Sequence, residues 1–364
     1  MSNQQSAISN QKKRVLLGMS GGIDSTVSAM LLLEQGYEVV GVTFRTYDSM
    51  KENCLAKEKG CCTIDSIMEA KHNAERMGFE HHIVDFRDTF HRCVIQNFID
   101  EYMAGRTPNP CVMCNSHIKW GELMRTADAF GCDLIATGHY ARIAERDGHI
   151  YLRTAADIHK DQTYFLWMLT EEQLRRTIFP LGDMTKDQVR EIARSHGYEK
   201  LAVKRESQEI CFIPDDDYRA FLRANVPDYN ERVRAGEYVN AEGKALGKHE
   251  GFVNYTIGQR KGLGIALGQR AFVTHIDAEK NQVTLGTYDD LYATQLRFKP
   301  TVSRNIGLSE SRITAKVRYR SQAVPVEKID EDRITFAVPV WGITPGQSVV
   351  LYHDDLVVGG GIII

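Results

Sequence analysis

Apolar runs of strand length alternate with amphipathic stretches of helix length over the first 212 residues. The strand-like runs are RVLLGMS (14–20), EVVGVTF (38–44), HHIVDF (81–86) and DLIATGHY (133–140). Runs that are apolar throughout are typical of strands buried on both faces of a parallel sheet. The pattern predicts an α/β domain, with helices on both faces of a parallel sheet, over residues 1–212, in which 1–13 form a loose polar tail.

The pattern changes twice after residue 212. Residues 213–283 have no clear period and are rich in glycine around YTIGQRKGLGIALGQR (255–270), which indicates a small central domain. Residues 284–364 contain short strand-like runs, among them RITAKVRYR (312–320), RITFAVPV (333–340) and QSVVLYHDDLVVGGGIII (347–364). Gly, Pro and Asp turns separate these runs, so we expect a small antiparallel β-barrel.

Composition excludes several classes of protein. A chain of 364 residues with 43% hydrophobic and 26% charged residues is long enough for two or three domains with real cores, and it resembles neither a disordered nor a membrane protein. Its 45 basic and 48 acidic residues argue against a general nucleic-acid binder, so a polyanion must be met by a local patch. The first thirteen residues lack a signal-peptide or organelle pattern, which predicts a cytoplasmic protein. Its eight cysteines are then not expected to form a disulfide framework.

A glycine-rich segment, GMSGGIDST (18–26), ends the first predicted strand and begins a helix. Backbone N–H groups at such a turn converge on an anion, and the helix dipole favours negative charge there. The Walker pattern fails because Ile23 and Asp24 stand where Gly and Lys are needed, and the dinucleotide pattern fails at Ser20. An ordinary glycine turn, with Asp24 or Ser25 capping the helix, is the alternative.

The segment resembles the pyrophosphate-binding (PP) loop of the ATP pyrophosphatases, whose fold is the adenine-nucleotide α-hydrolase type. These enzymes cleave ATP between its α- and β-phosphates, with Mg²⁺, and adenylate a carbonyl oxygen. The resemblance implies an ATP site made by Gly18, Met19, Ser20, Gly21, Gly22, Ile23, Asp24 and Ser25.

Seven further motifs follow in order along the chain: AGRTPNPCVMCNSHIKW (104–120), ATGHYARI (136–143), KDQTYFLW (160–167), ICFIP (210–214), TIGQRKGLGI (256–265), VRYR (317–320) and TPGQS (344–348). With the loop, they resemble the bacterial tRNA-specific 2-thiouridylases from about Arg14 to the end of the chain. The resemblance implies adenylation of C2 of the wobble uridine and replacement of its oxygen by sulfur. Cys114 would be the nucleophile and Cys211 the carrier of a persulfide, and the two would end as a disulfide that a reductant reopens.

The resemblance also implies binding residues and partners. Phe44 and Gly138 would complete the ATP site, and Asn109, Pro110 and Cys111 would border the flipped target base. Contacts with tRNA are implied for His139, Lys160, Asp161, Gln162, Tyr319, Arg320 and Gln347. The implied partners are tRNAs for glutamate, glutamine and lysine and an upstream persulfide relay protein, with the enzyme acting as a monomer.

Two basic segments could supply the local patch for RNA. Arg260 and Lys261 stand among glycines that allow close approach of a backbone. The second segment has one acid, Glu310, and six basic residues: Lys299, Arg304, Arg312, Lys316, Arg318 and Arg320. Such a cluster could meet phosphates, or it could be the charged edge of a solvated strand.

Cys111 departs from the family pattern, which has aspartate at this position. A Cys111, Cys114 and Cys211 set could hold an iron–sulfur cluster with one open iron, and Cys111, Cys114 and His117 have spacing suited to zinc. Two other functions stay open on the residues alone. One is a different adenylating ligase, which would leave the cysteine pair without a role, and the other is a non-catalytic RNA-binding or metal-sensing protein.

Overall fold

A computed structural model describes residues 12–47, 64–204, 210–213, 216–303 and 312–364. The strands are β1 Arg14–Gly18, β2 Glu38–Arg45, β3 His81–Asp85, β4 Leu134–Thr137, β5 Arg142–Arg146, β6 His149–Arg153, β7 Thr177–Ile178, β8 Gly236–Val239, β9 Ala245–His249, β10 Phe272–Asp277, β11 Gln282–Gly286, β12 Tyr292–Ser303, β13 Ile313–Lys316, β14 Val324–Ile329, β15 Arg333–Trp341, β16 Ser348–His353 and β17 Leu356–Ile363. The α-helices are α1 Ile23–Glu34, α2 Ile64–Met77, α3 Arg87–Phe90, α4 Gln96–Met103, α5 Pro110–Met113, α6 Leu123–Ala129, α7 Thr163–Leu166, α8 Glu171–Arg175, α9 Lys186–Ser195, α10 Glu199–Val203, α11 Tyr218–Asn225 and α12 Tyr229–Arg232.

The amino-terminal domain contains a parallel sheet with strand order β3-β2-β1-β4-β7. Val15, Leu16 and Leu17 of the central strand β1 are fully buried, as expected for a strand covered on both faces. The four strands predicted from the apolar runs are confirmed. The fifth, β7, has only two residues, which is too short for a recognisable pattern.

Two long helical stretches connect β3 to β4. Each contains a π-helical segment: His91–Ile95 joins α3 to α4, and Cys114–Glu122 joins α5 to α6. The second stretch ends shortly before β4 begins, and α6 packs on β1 and β4. Its first residues therefore lie toward the carboxyl ends of the parallel strands, where open α/β sheets bind ligands.

The remaining domains are antiparallel in character, apart from one parallel pair. The central sheet has the order β10-β11-β8-β9, with β11 and β8 parallel. The carboxy-terminal strands β12, β15, β14, β13, β16 and β17 form a barrel, which the pairing of β12 with β17 closes. The β5–β6 hairpin of the first domain extends this sheet, because Leu356 of β17 pairs with Arg153. The predicted architecture is confirmed.

One predicted strand is shorter than its pattern. RITAKVRYR (312–320) forms a strand only over Ile313–Lys316, and the four residues after it turn. The turn places Tyr319 against Phe165 of the first domain, with ring centroids 4.3 Å apart. In the part of the chain that the structure describes, no helix is long and apolar enough to cross a membrane.

Candidate active site

The glycine-rich loop after β1 is built around Ser25 rather than around a side-chain cap. Gly22 is the N-cap of α1 and makes no side-chain capping bond. The Ser25 hydroxyl donates to the Gly22 carbonyl oxygen (3.1 Å) and accepts from the Ser20 N–H (3.2 Å). Gly21 has φ +69°, and a Cβ there would stand 2.3 Å from the Ser66 carbonyl oxygen. The N-cap is therefore Gly22 and neither Asp24 nor Ser25, and the Ser25 side chain instead ties the first turn of α1 to Ser20.

The other residues expected at the ATP site lie at the same edge of the sheet. Phe44 is near the end of β2, and Gly138 directly follows β4, on either side of β1. A Cβ on Gly138 would stand 2.8 Å from the backbone of Asp24 and Ser25, so only glycine allows β4 to approach the loop this closely. Phe44 packs edge-to-face on Phe86, with centroids 4.9 Å apart. The carboxyl edge of three adjacent strands thus brings the predicted nucleotide residues together.

Asp24 is held by two residues that sequence reasoning missed. Lys186 Nζ forms an ion pair with both carboxylate oxygens, at 2.8 and 2.9 Å, and the Tyr140 hydroxyl donates to Oδ1 at 2.8 Å. The Lys186 side chain is 6% exposed and the Asp24 side chain 32%. One signal for Lys186 existed, because a cation in the first turn of a helix opposes the helix dipole and so needs a specific partner.

A second lysine lies near the carboxyl end of β4. Lys119 Nζ is 3.3 Å from His139 Nε2, and His139 Nδ1 is 2.7 Å from the Thr137 hydroxyl. Burial, with a smaller contribution from the Lys119 charge, holds the pKa of His139 well below its usual value. An ammonium group has only donors, so the neutral ring accepts from Lys119 through Nε2 and donates through Nδ1 to Thr137.

The TPNPC segment begins the helical stretch that carries the first cysteines. Asn109 is the N-cap of α5, its side chain accepts from Val112 N–H at 3.4 Å, and Pro110 occupies the first turn. Cys111 is exposed and Cys114 half-buried, three residues apart on one face of the helix. The next residue, Asn115, donates to the Phe165 carbonyl oxygen at 3.0 Å and so ties this helix to the KDQTYFLW segment.

Cys211 lies at the tip of a turn in which Ile213 N–H donates to the Ile210 carbonyl oxygen at 3.0 Å. Its side chain is exposed, whereas Phe212 is buried, with ring contacts to Phe90, Phe98 and Phe221. Cys114, Ile210 and Phe44 pack on the same apolar cluster, in which Phe212 is a central member. The fold therefore brings the Cys114 helix, the Cys211 turn and the end of β2 that carries Phe44 around one cluster.

The proposed metal sites do not match the positions of these side chains. Among the described residues, which include Cys111, Cys114, His117 and Cys211, no three His, Cys, Asp or Glu side chains are grouped closely enough to hold a metal ion. His117 is exposed on the helix surface. The residues present do not fit a zinc ion or an iron–sulfur cluster in this conformation. Of the other cysteines, Cys132 is buried and Cys93 half-buried, whereas 54, 61 and 62 lie outside the described residues.

Most of the residues expected to contact tRNA surround this edge, but not all present a free side chain. Asp161 is 4% exposed, and its carboxylate accepts from the Ala155 N–H and the Thr163 hydroxyl. The Gln162 side chain accepts from the Tyr140 N–H at 2.9 Å. Lys160 is half-buried beside them. The geometry therefore gives the Asp161 carboxylate a structural position.

The barrel reaches the same region through two turns. Arg320 is exposed next to Tyr319, and Gln347 Nε2 donates to the carbonyl oxygens of Thr107 and Pro108, at 2.9 and 3.0 Å.

Arg260 and Lys261 are exposed in the central domain, where Arg260 lines a cavity of about 560 Å³ formed by the glycine-rich segment.

The predicted basic cluster on the barrel is not a single patch. Arg318 is turned inward, where it donates to the carbonyl oxygens of Ile257 and Gly342, and Arg312 forms an ion pair with Asp354. Arg304 lies outside the described residues. The prediction was wrong for Arg318 because the turn after β13 directs its side chain into the junction between the central domain and the barrel.

Three family models match successive parts of the chain. They are described as a tRNA methyl transferase HUP domain (residues 13–215), a tRNA methyl transferase PRC-barrel domain (223–287) and an aminomethyltransferase β-barrel domain (288–363). They follow the same order as the parallel-sheet domain, the central sheet and the barrel.

Several relatives are similar to this chain over nearly its whole length. A protein of Amoebophilus asiaticus named tRNA-specific 2-thiouridylase MnmA is 48% identical over 357 residues, which cover 96% of this chain and 95% of the relative. Proteins of the same name from Cytophaga hutchinsonii and Clostridium acetobutylicum are each 46% identical, and cover 97% and 96% of this chain and 97% and 99% of the relatives.

Proposed function

Because the chain belongs to the family of the tRNA-specific 2-thiouridylases, we propose that it replaces the C2 oxygen of the wobble uridine of tRNA, at position 34, by sulfur. ATP supplies the activation and is converted to AMP and pyrophosphate. The observation that carries this proposal is the single apolar cluster on which Phe44, Cys114 and the Ile210–Phe212 turn all pack. This shared packing supports the proposal that an adenylating site and a two-cysteine sulfur site are neighbours.

The loop after β1 is suited to the pyrophosphate part of ATP. Its backbone N–H groups and the amino end of α1 favour an anion, and the Asp24 carboxylate, which would repel one, is neutralised by Lys186. Because that carboxylate is already paired, the loop offers little to a metal by itself. Mg²⁺ would arrive with the ATP phosphates, as it commonly does, and would neutralise part of their charge.

Sulfur transfer uses the two cysteines in turn. The C2 oxygen attacks the α-phosphorus, and pyrophosphate leaves with the electron pair of the broken P–O bond. The terminal sulfur of a persulfide on Cys211 then bonds to C2, and AMP leaves with the former C2 oxygen. Cys114 thiolate attacks Sγ of Cys211, so the S–S bond breaks toward the new 2-thiouridine. The resulting Cys114–Cys211 disulfide is reopened by an external thiol reductant.

Binding of the target base and of tRNA involves three parts of the chain. Asn109, Pro110 and Cys111 border the flipped base, in front of the helix that carries Cys114. The tRNA is held by His139, Lys160, Gln162, Arg260, Lys261, Tyr319, Arg320 and Gln347, whereas Asp161, also expected to contact tRNA, contributes by holding the backbone of this segment in place. We further propose that a relay protein loads Cys211, that glutamate, glutamine and lysine tRNAs are the substrates, and that the protein acts as a cytoplasmic monomer.

A thiolation assay tests the proposal. The assay compares wild type with Cys114→Ser, Cys211→Ser and the control Cys93→Ser. Each protein is purified without air, its iron content is measured, and it is then given ATP, tRNA and a persulfide donor. We expect AMP from all four proteins but 2-thiouridine only from wild type and Cys93→Ser. A different adenylating ligase would keep its activity in both active-site variants. An RNA-binding protein would form no AMP. Stoichiometric iron in wild type, together with loss of activity in a fifth protein, Cys111→Ser, would favour the cluster.

A further inference from the structure

Lys119 lies on the π-helical segment Cys114–Glu122, five residues after Cys114. Backbone hydrogen bonds in a π-helix join residues five apart, so Lys119 follows Cys114 by one turn on the same side. In an α-helix of 3.6 residues per turn, residues five apart point to different faces. The π-helical geometry therefore directs this ammonium group to the face that carries the nucleophile.

The position of the ammonium group is fixed at its other end by His139. His139 follows Gly138, whose backbone approaches Asp24 and Ser25 so closely that a Cβ would stand at 2.8 Å. Lys119 Nζ, 3.3 Å from His139 Nε2, thus lies next to the nucleotide loop. Among the residues that the structure describes, no carboxylate pairs with Lys119. Lys119 is half-buried and its partner His139 is neutral, so the positive charge of Lys119 can be balanced by an anionic ligand.

The reaction places one anion between the loop and the cysteines. The loop would hold the β- and γ-phosphates, and the target C2 must lie within reach of Cys114 and Cys211. The α-phosphate is bonded first to pyrophosphate and then to the C2 oxygen, so it has to lie between these two regions. Lys119 occupies that position, on the Cys114 helix and beside the end of β4.

We propose that Lys119 is a further catalytic residue, which binds the α-phosphate of ATP and then of the adenylated uridine. Its ammonium group stabilises the negative charge that grows on the α-phosphate as pyrophosphate leaves, and again as AMP leaves with the electron pair of the C2–O bond. The step needs no proton transfer, because the positively charged ammonium group itself offsets the charge on the α-phosphate. This inference rests on the proposed adenylation and deepens it.

The test uses Lys119→Gln in the full chain, with Arg125→Gln as control. Arg125 lies on the same helical stretch, and its side chain is 69% exposed and pairs with Glu122 at 3.2 Å. We expect the tRNA-dependent rate of AMP formation to fall about 100-fold in Lys119→Gln, as for removal of one preorganised charge donor. Folding, judged by the unfolding midpoint, and tRNA affinity should be retained, and Arg125→Gln should match wild type.

The α-thio analogues of ATP show whether Lys119 acts on that phosphate. Sulfur in place of a non-bridging α-oxygen should slow wild type but have little further effect in Lys119→Gln. A full, undiminished thio effect in that variant, or normal AMP formation by it, would overturn the inference. If the wild type itself makes no AMP, the proposed function fails instead.

If Lys119→Gln does not fold, Lys119→Arg is tested in its place. It keeps the charge but moves it relative to the two non-bridging α-oxygens, so the ratio of rates with the two α-thio diastereomers should differ from that of wild type. An unchanged ratio would contradict contact with the α-phosphate.

Discussion

Gln347 and Thr107 are 240 residues apart in the chain, yet Nε2 of Gln347 donates to the Thr107 carbonyl oxygen at 2.9 Å. The Thr107 N–H in turn donates to the Pro345 carbonyl oxygen at 2.8 Å. The turn before β16 in the barrel is therefore hydrogen-bonded to the segment that precedes the Cys114 helix. Because Gln347 is also among the residues expected to meet tRNA, this contact would link tRNA binding to the position of the segment that we propose borders the target base.

Gln347→Leu removes both donors of this contact while keeping the size of the side chain. We expect kcat for thiolation to fall about tenfold, since the carbonyl oxygens of Thr107 and Pro108 lose their partner and the segment shifts. The measurement is steady-state thiolation with tRNA varied, beside ATP affinity, which should not change. The matched control is Gln269→Leu, an exposed glutamine of the central domain. A rise in KM for tRNA with kcat unaltered would show that Gln347 only binds tRNA.

Gly346→Ala should destabilise the folded protein by about 3 kcal/mol, which combines a strained backbone and a clash. Gly346 has φ +90°, and an added Cβ would stand 2.7 Å from the Thr107 carbonyl oxygen. Gly268→Ala separates the two causes, because Gly268 has φ +70° but no atom within 4 Å of such a Cβ, and it should cost only about 1 kcal/mol. Urea unfolding measures both. Equal losses of unfolding free energy in the two variants would mean that the turn at Gly346 shifts without disturbing Thr107.

The Asp24–Lys186 pair should show energetic coupling. Lys186→Met leaves a carboxylate without its cation beside a half-buried loop, and we expect the free energy of unfolding to fall by about 2 kcal/mol, less than for a fully buried pair. Asp24→Asn in the Lys186→Met background should recover at least about 1 kcal/mol of that loss. A double-mutant cycle in urea gives the coupling. Additive losses would show that the ion pair does not hold the loop.

Acid should weaken the fold through His81. Burial, with smaller effects of nearby charges, lowers the pKa of His81 to about 4, while its Nε2 lies 2.8 Å from the Thr43 hydroxyl. The unfolded chain binds the proton near pH 6.5, so the contribution of the neutral ring is fully present above that pH and is lost as the pH falls toward 4. His81→Gln should reduce the drop in unfolding midpoint between pH 7 and pH 5. An equal drop in wild type and variant would exclude His81 as its cause.

Sequence reasoning reached the architecture because the first and last domains each have their own local pattern, and the central region differs from both. Unbroken apolar runs mark the parallel strands, and short runs separated by turns mark the barrel. It missed β7, which has two residues, and the turn after β13, because Val317 and Tyr319 continue an alternating pattern although the chain has left the sheet. The domain boundaries at 212 and 283 remain predictions.

The anion-binding loop could be predicted from its glycines and its position between a strand and a helix. Cys114 and Cys211 were expected from the family resemblance, and the fold brings their surroundings to one apolar cluster. Lys186, Tyr140 and Lys119 were missed because their roles depend on contacts between segments 20 to 162 residues apart. Asp161 was expected to meet tRNA, but whether a carboxylate faces solvent or is buried against Ala155 and Thr163 is decided by tertiary packing.

A single-turnover reaction tests the central claim most directly. Protein carrying isotopically labelled persulfide on Cys211 is mixed with ATP and tRNA without reductant, and the label, AMP and the cysteine oxidation state are followed by mass spectrometry. We predict one labelled 2-thiouridine for each AMP, together with a disulfide between Cys114 and Cys211. Thiolated tRNA without that disulfide, or label retained on Cys211 while AMP accumulates, would contradict the account.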